Sequence, residues 1–390
     1  MAEQEIYPLV AIEPVANAQN EWVALRLRVS PAPDGDAPGA LQAAFGQPDL
    51  LAAIAPLDGL LTLDNLDGLT PSTLALLPAK RIGLVVDAAV LAQAGGAGRL
   101  AALHGAGYRI WLDGPAPDGT TAPPALRRIA RECSADAPPP GRLSALFGPH
   151  LAHGIGSGLR FSQCENAGFD WFCGDYPLDP CAAPRPNDDG SSRRRLLTML
   201  GLLARDADAR ELEEQIKQDP ALAYHLLKLV NSAAFAVNTQ ITSFGQAITL
   251  LGRRQLQRWL QLLLYARPQP DSLPNLLLPM AARRGAQVEA LCRQHGGGGA
   301  DQDLAFMIGV FSLLDRLLLQ PMEEIVPDLQ LPPAVAAALV GRAGQLGAWL
   351  RLTESDPDAA ALDAAGVSRR DWWHSQLQAY HWAIQVGRNV

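Results

Sequence analysis

The feature that most constrains this chain is a change of pattern near residues 180–192. The run Pro180-Cys181-Ala182-Ala183-Pro184-Arg185-Pro186-Asn187-Asp188-Asp189-Gly190-Ser191-Ser192 mixes proline with small polar residues, as linkers do. Before it, short apolar runs at 6–12, 22–29, 60–63, 82–86, 108–112 and 169–173 alternate with helix-like segments at 74–77 and 98–104. That alternation predicts an α/β layout with a largely parallel sheet, open or closed into a barrel. After it, the spacing is helical almost throughout. The 390 residues suffice for two or three separate cores. The expected domains are therefore 1–184 and 191–390.

The second domain begins with strong helix signals. Asp219 can cap free backbone N–H groups, and Pro220 at the first helical position loses no bond. Leu222, Leu226, Leu229 and Val230 then recur on one helical face. Ser243 is placed to cap a next helix that stops at Gly252. Further helices are expected over 256–266, 304–319 and 333–350. Trp372 and Trp373 are suited to anchor a terminal helix on the core.

Charge is uneven. The formal net charge is −8. Residues 1–184 carry eleven basic and nineteen acidic side chains, whereas the remainder carries twenty-one of each. Neither half has the basic footprint that nucleic-acid binding needs, so no nucleic-acid partner is expected. No run of about 18 apolar residues points to a membrane span. The acidic start Met1-Ala2-Glu3-Gln4-Glu5 is unlike a secretory signal, and a cytoplasmic location is expected. The five cysteines include no CxxC pair, which favours buried or idle thiols over zinc or disulfide frameworks.

Few motifs carry chemistry. The glycines at 95–98, 154–158 and 296–299 lack the third glycine of a dinucleotide fingerprint and the Lys-Ser/Thr of a P-loop, so they read as turns. The seven histidines include no His-Asp dipeptide and no HExxH, and no GxSxG elbow occurs. His150 and His153 could share a ligand, although surface positions are the stronger expectation. Glu289-Ala290-Leu291 lies in a helical stretch and reads as chance. Arg253, Arg254 and Arg258 lie on adjacent turns of one helix. They form either a solvated face or a surface for an acidic partner.

The segment 219–235, with Asp219-Pro220 at its start and Val230-Asn231-Ser232-Ala233 near its end, closely resembles the signature of the HDOD family, the HD-related output domain. Ile241-Thr242-Ser243, Leu250-Leu251-Gly252 and the later run 306–315 fit the same family, over about 195–352. In true HD hydrolases that later helix carries the His-Asp pair, and here Ser312-Leu313 stands there. The resemblance implies a helical scaffold acting through protein contacts. It gives Asp219, Pro220, Asn231, Ser232, Ser243 and Gly252 structural roles.

The first half is similar to an EAL domain, the barrel phosphodiesterase of cyclic di-GMP, in a shortened, TIM-like form. Ala24-Leu25-Arg26-Leu27-Arg28 fits the naming motif, with Arg28 retained. Tyr108 to Gly114 fits the aspartate-pair strand, Leu151-Ala152-His153-Gly154 the late acidic strand, and Gly168 to Gly174 the closing segment. The family's acidic or polar groups are replaced by Ala24, Gly114, His153 and Cys173, leaving Asp113 alone. A further ligand would stand at Val85 or Asp87, and Arg128 marks the neighbourhood of a missing lysine. Magnesium relies on carboxylates to offset its charge, so these replacements imply no metal and no cofactor.

The resulting expectation is a degenerate barrel followed by an all-α HDOD domain. Such a chain would not be an enzyme; it would regulate by contact with other signalling proteins in cyclic di-GMP-linked control. Binding of cyclic di-GMP is not expected. Two other readings stay open: a receptor that binds the nucleotide without cleaving it, and a residual metal-dependent phosphodiesterase.

Overall fold

The structure is a computed structural model that describes residues 7–32, 35–46, 49–144, 147–179, 198, 201–202, 211, 252–263, 265, 275–329 and 331–389. It divides into two compact units, Met1–Cys181 and Ala182–Val390.

The first unit is a closed eight-stranded barrel in sequential order. The strands are β1 (Leu9–Asn17), β2 (Trp22–Ser30), β3 (Asp58–Leu63), β4 (Ile82–Asp87), β5 (Ile110–Asp113), β6 (Arg128–Glu132), β7 (Leu151–His153) and β8 (Trp171–Cys173). Strands β2 to β8 run parallel, and β1 is antiparallel to both of its neighbours. A tight hairpin sets that exception. The Asn17 side-chain oxygen accepts the backbone N–H groups of Gln19 and Glu21 at 3.0 and 2.9 Å, and Asn20 takes a left-handed φ of 58°. Parallel neighbours need longer crossovers. These include α1 (Ala37–Phe45), α2 (Asp49–Ala53), α3 (Pro71–Leu76), α4 (Gly96–Gly105) and α5 (Gly158–Ala167).

Side chains alternate across each strand, and the inward set forms three layers. Asp58, Arg81, Arg109 and Arg128 lie at the N-terminal ends of β3 to β6. The middle is apolar: Val15, Ala24, Leu60, Val85, Trp111, Ala130 and Leu151 cluster with no solvent exposure. The layer at the C-terminal ends is polar, with Glu13, Arg26, Thr62, Asp113, His153 and Cys173. Outward residues such as Leu25 and Leu27 are also fully buried.

Two of the strands, β6 and β7, went unread as apolar runs. β1 lies at 9–17 rather than 6–12, because the hairpin extends it to Asn17. The glycine runs are turns: Gly95, Gly154 and Gly296 have φ of 74°, 71° and 81°.

Among the described residues of the second unit are α6 (Arg253–Leu263), α7 (Leu277–Gln294), α8 (Gly299–Phe311), α9 (Leu314–Leu318), α10 (Met322–Ile325), α11 (Pro333–Gly341), α12 (Gly344–Thr353), α13 (Ala359–Ala364) and α14 (Arg369–Asn389). Helix α7 is central and packs chiefly on α8 and α14. Two glycines allow the α7–α8 approach. A Cβ on Gly309 would lie 2.5 Å from the Arg284 carbonyl oxygen, and one on Gly285 would lie 2.8 Å from Val310. Trp372 and Trp373 are buried and pin α14.

The expected helix over 304–319 breaks after Phe311, where the Ser312 hydroxyl donates to the Gly309 carbonyl. The expected helix over 333–350 breaks at Arg342, which adopts a left-handed φ of 53°. Gly252 has φ of 76°, which only glycine adopts freely. Asp219, Pro220, Asn231, Ser232 and Ser243 lie outside the described residues. Among the described residues, no helix is long and apolar enough to cross a membrane.

Candidate functional site

The C-terminal ends of β2 to β8 form the mouth of the barrel. In parallel barrels of this kind the chemistry sits at this end, because the loops that follow the strands converge there. The antiparallel register of β1 and β2 pairs Glu13 with Arg26. Their side chains form an ion pair at 3.0 Å, and Arg26 Nε donates to Thr62 Oγ1 at 3.1 Å. The Arg26 side chain is only 5% exposed, so pairing is what makes its burial tolerable. Cys173 ends β8 against Glu13 and is fully buried. Burial, then the charge of Glu13, pushes its thiol well above the usual range.

Across the mouth, β5 and β7 present Asp113 and His153. His153 Nε2 lies 3.0 and 2.9 Å from the two Asp113 carboxylate oxygens. An ionised carboxylate only accepts, so Nε2 carries the proton and donates it. Asp113 thus fixes the tautomer and leaves Nδ1 as the acceptor. Burial raises the Asp113 carboxyl, but the His153 hydrogen bond and the charges of His153, Arg26 and Arg131 outweigh it and hold the group below its ordinary value. Arg131 braces the same corner, donating to the carbonyls of Gly114 at 2.6 Å and Ala130 at 2.8 Å.

A pH dependence follows. A depressed carboxyl contributes stability that is complete above its unfolded value of about 3.9 and is lost as pH falls through the folded value. Asp113→Asn is expected to leave the barrel less stable than the parent at neutral pH. The gap should narrow as pH falls below the unfolded value of about 3.9 and through the lower folded value. Thermal denaturation of both proteins across that range measures it; a gap that does not vary with pH would show that the pair contributes no charge-dependent stability.

Of the sequence-flagged positions, Asp113 and His153 meet. Ala24 lies one layer lower, in the apolar core. Gly114 has φ of 84°, a conformation that disfavours aspartate. Val85 is buried in the core, and Asp87 caps the turn after β4, accepting from the Ala89 N–H at 2.7 Å. Arg28 is exposed. His150 and His153 do not share a ligand and do not lie on the surface as expected. They sit at opposite ends of β7 and are 1% and 8% exposed. His150 Nδ1 accepts from the Ile129 N–H and Nε2 donates to the Ser144 carbonyl, a purely structural arrangement. Arg26, Glu13 and Arg131 were missed. The inward parity of Arg26 with Ala24 was the available signal.

The mouth does not fit a bound magnesium ion. Both Asp113 oxygens are engaged by His153, Ala24 and Gly114 offer no donor, and no group of three His, Cys, Asp or Glu converges among the described residues. The four described cysteines are free and buried.

In the helical unit, Arg254 and Arg258 are held within the chain. Arg254 pairs with Asp303, and Arg258 with Glu289 and, at 3.3 Å, with Asp303. Arg258 also lies over the Phe306 ring. Glu289, in the chance Glu-Ala-Leu string, therefore has a structural role. The backbone of Arg253 opens α6. Deeper in, Arg284 of α7 donates to Ser312 Oγ at 3.1 Å and lies 3.6 Å from Glu354, which Arg342 grips with two hydrogen bonds of 2.8 and 2.7 Å. A buried guanidinium thus occupies the neighbourhood of Ser312.

Residues 194–272 match the HDOD domain model. The chain is therefore a closed eight-stranded barrel followed by a helical region that contains an HDOD domain, the organisation expected from its sequence. It is 31% identical over 62% of its length to the cyclic di-GMP phosphodiesterase CdgJ of Vibrio cholerae, covering 56% of that protein. It is 27% identical over 60% of its length to YuxH of Bacillus subtilis, covering 58% of that protein. The chain thus spans a little over half the length of these relatives. The first alignment is longer than either structural unit, so it crosses the boundary between them. A c-di-GMP-bound standalone EAL protein from Vibrio cholerae O395 superposes with a TM-score of 0.30 at 12% identity, covering 44% of this chain and 91% of that one. That superposition is too loose to place site residues. The expectation that a chain of this kind is not an enzyme is corrected by the first relative, which is itself named a phosphodiesterase.

Proposed function

We propose that this chain acts in cyclic di-GMP signalling, with the phosphodiester handled at the mouth of the barrel and the output passed by contact between the HDOD half and another signalling protein. The single observation that carries the reading is the Asp113–His153 pair at the C-terminal end of the barrel. It supplies what proton transfer requires: an imidazole held in one tautomer, oriented by a carboxylate, with its second nitrogen available. As His153 Nδ1 takes the proton of a water attacking phosphorus, the P–O bond to one ribose oxygen breaks, and the imidazolium, stabilised by Asp113, returns that proton to the departing oxygen. Arg26 and Arg131 add positive potential at the same end, where negative charge develops on the phosphoryl oxygens. The relationship to CdgJ supplies the substrate class.

The test is incubation with cyclic di-GMP and chromatography of the products. The linear dinucleotide is expected from the parent. His153→Ala and Asp113→Asn should each slow its formation by about 100-fold or more, the usual contribution of a positioned base. The reading fails if the parent turns over no faster than buffer, or if His153→Ala retains full activity.

A further inference from the structure

The opposite end of the barrel carries a second polar layer that the mouth chemistry does not use. Asp58 opens β3, Arg81 directly precedes β4, Arg109 directly precedes β5, and Arg128 opens β6. Each has the inward parity of the apolar residue above it, so four adjacent strands contribute one side chain each to a single layer. Three guanidiniums stand here beside one carboxylate, and two of them reach it. Arg109 Nη1 lies 2.8 Å from Asp58 Oδ2, and Arg81 Nε lies 4.0 Å from Asp58 Oδ1. Arg128 pairs with no carboxylate among the described residues; its guanidinium lies 5.5 Å from the centre of the Trp111 ring. Arg81 Nε, Arg109 Nη2 and Arg128 Nε all lack a hydrogen-bond acceptor.

This arrangement costs free energy. Burial, then the charge of Arg109, lowers the Arg128 guanidinium below its ordinary range, so the fold holds like charges together. Two further cations, Lys80 and Arg127, stand beside the layer and are exposed. Five of the eleven basic residues of the first half thus gather at the ends of three neighbouring strands, in the half of the chain that carries the net negative charge. Arg254 and Arg258, the sequence candidates for meeting an acidic partner, are by contrast already paired within the chain.

We propose that this end of the barrel is a docking surface for an extended acidic segment of a partner protein. Two features favour a peptide over a single small anion. The cations span the ends of β4 to β6, about 10 Å at the usual strand spacing of about 4.8 Å, which is further than one phosphate reaches. The Asp58 carboxylate, at the β3 edge of the layer, receives Arg81 and Arg109 and shows how such a group is held there, whereas Lys80, Arg127 and Arg128 pair with no carboxylate among the described residues. Carboxylates three positions apart on an extended chain lie ~10 Å apart and match that span. Charge complementarity of this kind governs encounter and orientation and weakens with salt.

The experiment uses the full chain and a fluorescein-labelled decaglutamate peptide, read by anisotropy at low ionic strength. Saturable binding is expected, together with loss of binding as salt is raised. The double variant Lys80→Gln/Arg127→Gln alters only exposed side chains and should weaken binding about tenfold, which is roughly 1.4 kcal/mol. Arg128→Gln should weaken it as well, and His153→Ala at the far end should not. The proposal is overturned if the peptide does not bind, or if the double variant and Arg128→Gln bind like the parent. It is equally overturned if a single-stranded oligonucleotide of equal charge displaces the peptide with equal or greater affinity, since the surface would then be a general polyanion site.

Discussion

Trp111→Ala is expected to cost the barrel about 3–5 kcal/mol, a large share of the roughly 5–15 kcal/mol that holds an ordinary domain folded. Trp111 is fully buried in the middle layer, stacks on Trp171 at 5.4 Å, and donates its indole N–H to the Pro149 carbonyl at 2.8 Å. Its ring fills the space that Gly83 leaves: a Cβ there would lie 2.6 Å from the indole. It also supports the Arg128 guanidinium from above. Alanine would remove the packing, orphan the Pro149 carbonyl and leave Arg128 facing a cavity. Urea denaturation followed by far-UV circular dichroism measures the loss. A shift below about 1 kcal/mol would mean that the barrel closes over the gap and that the ring is not its central brace.

Glu354→Gln is expected to destabilise the helical half by about 3 kcal/mol, although the two side chains have the same shape. Glu354 is the carboxylate that faces Arg284 and Arg342, with Arg283 beside them. Burial, then repulsion from Arg283, lowers the Arg284 guanidinium to about 10, and Glu354 partly offsets that. Glutamine keeps the volume and removes the charge, leaving the buried cation without its counter-ion. Arg284→Met should behave oppositely, near neutral or stabilising, because it removes the buried charge itself and keeps the apolar stem. Thermal melts of both variants distinguish the cases. Equal losses in the two would show that the cluster acts through hydrogen bonds such as that of Arg284 to Ser312 rather than through charge.

The sequence alone determined the class of each half. Strand β4 is a continuous apolar run over 82–86, because both of its faces are buried, and β2 and β3 are apolar at most positions; they are legible for that reason. Strand β6 was not. Its five residues, Arg128 to Glu132, include three charged ones because it crosses from the charged lower layer to the polar mouth, with only Ala130 in the apolar middle. The helix breaks at Ser312 and Arg342 were hidden for a related reason. At each break the residue also bonds a partner elsewhere in the chain, Ser312 with Arg284 and Arg342 with Glu354, which local propensity does not report.

The site was half visible. Asp113 and His153 could be named as residues, but 40 positions separate them, and only the parallel pairing of β5 and β7 on either side of β6 brings them together. Glu13 and Arg26 are joined by the antiparallel register of β1, which the Asn17 hairpin fixes. Arg254 and Arg258 read as a free basic face until the neighbouring helices supplied Glu289 and Asp303. Periodicity along one element reports which face is buried. Which charges meet depends on register and closure, and these are properties of the assembled fold.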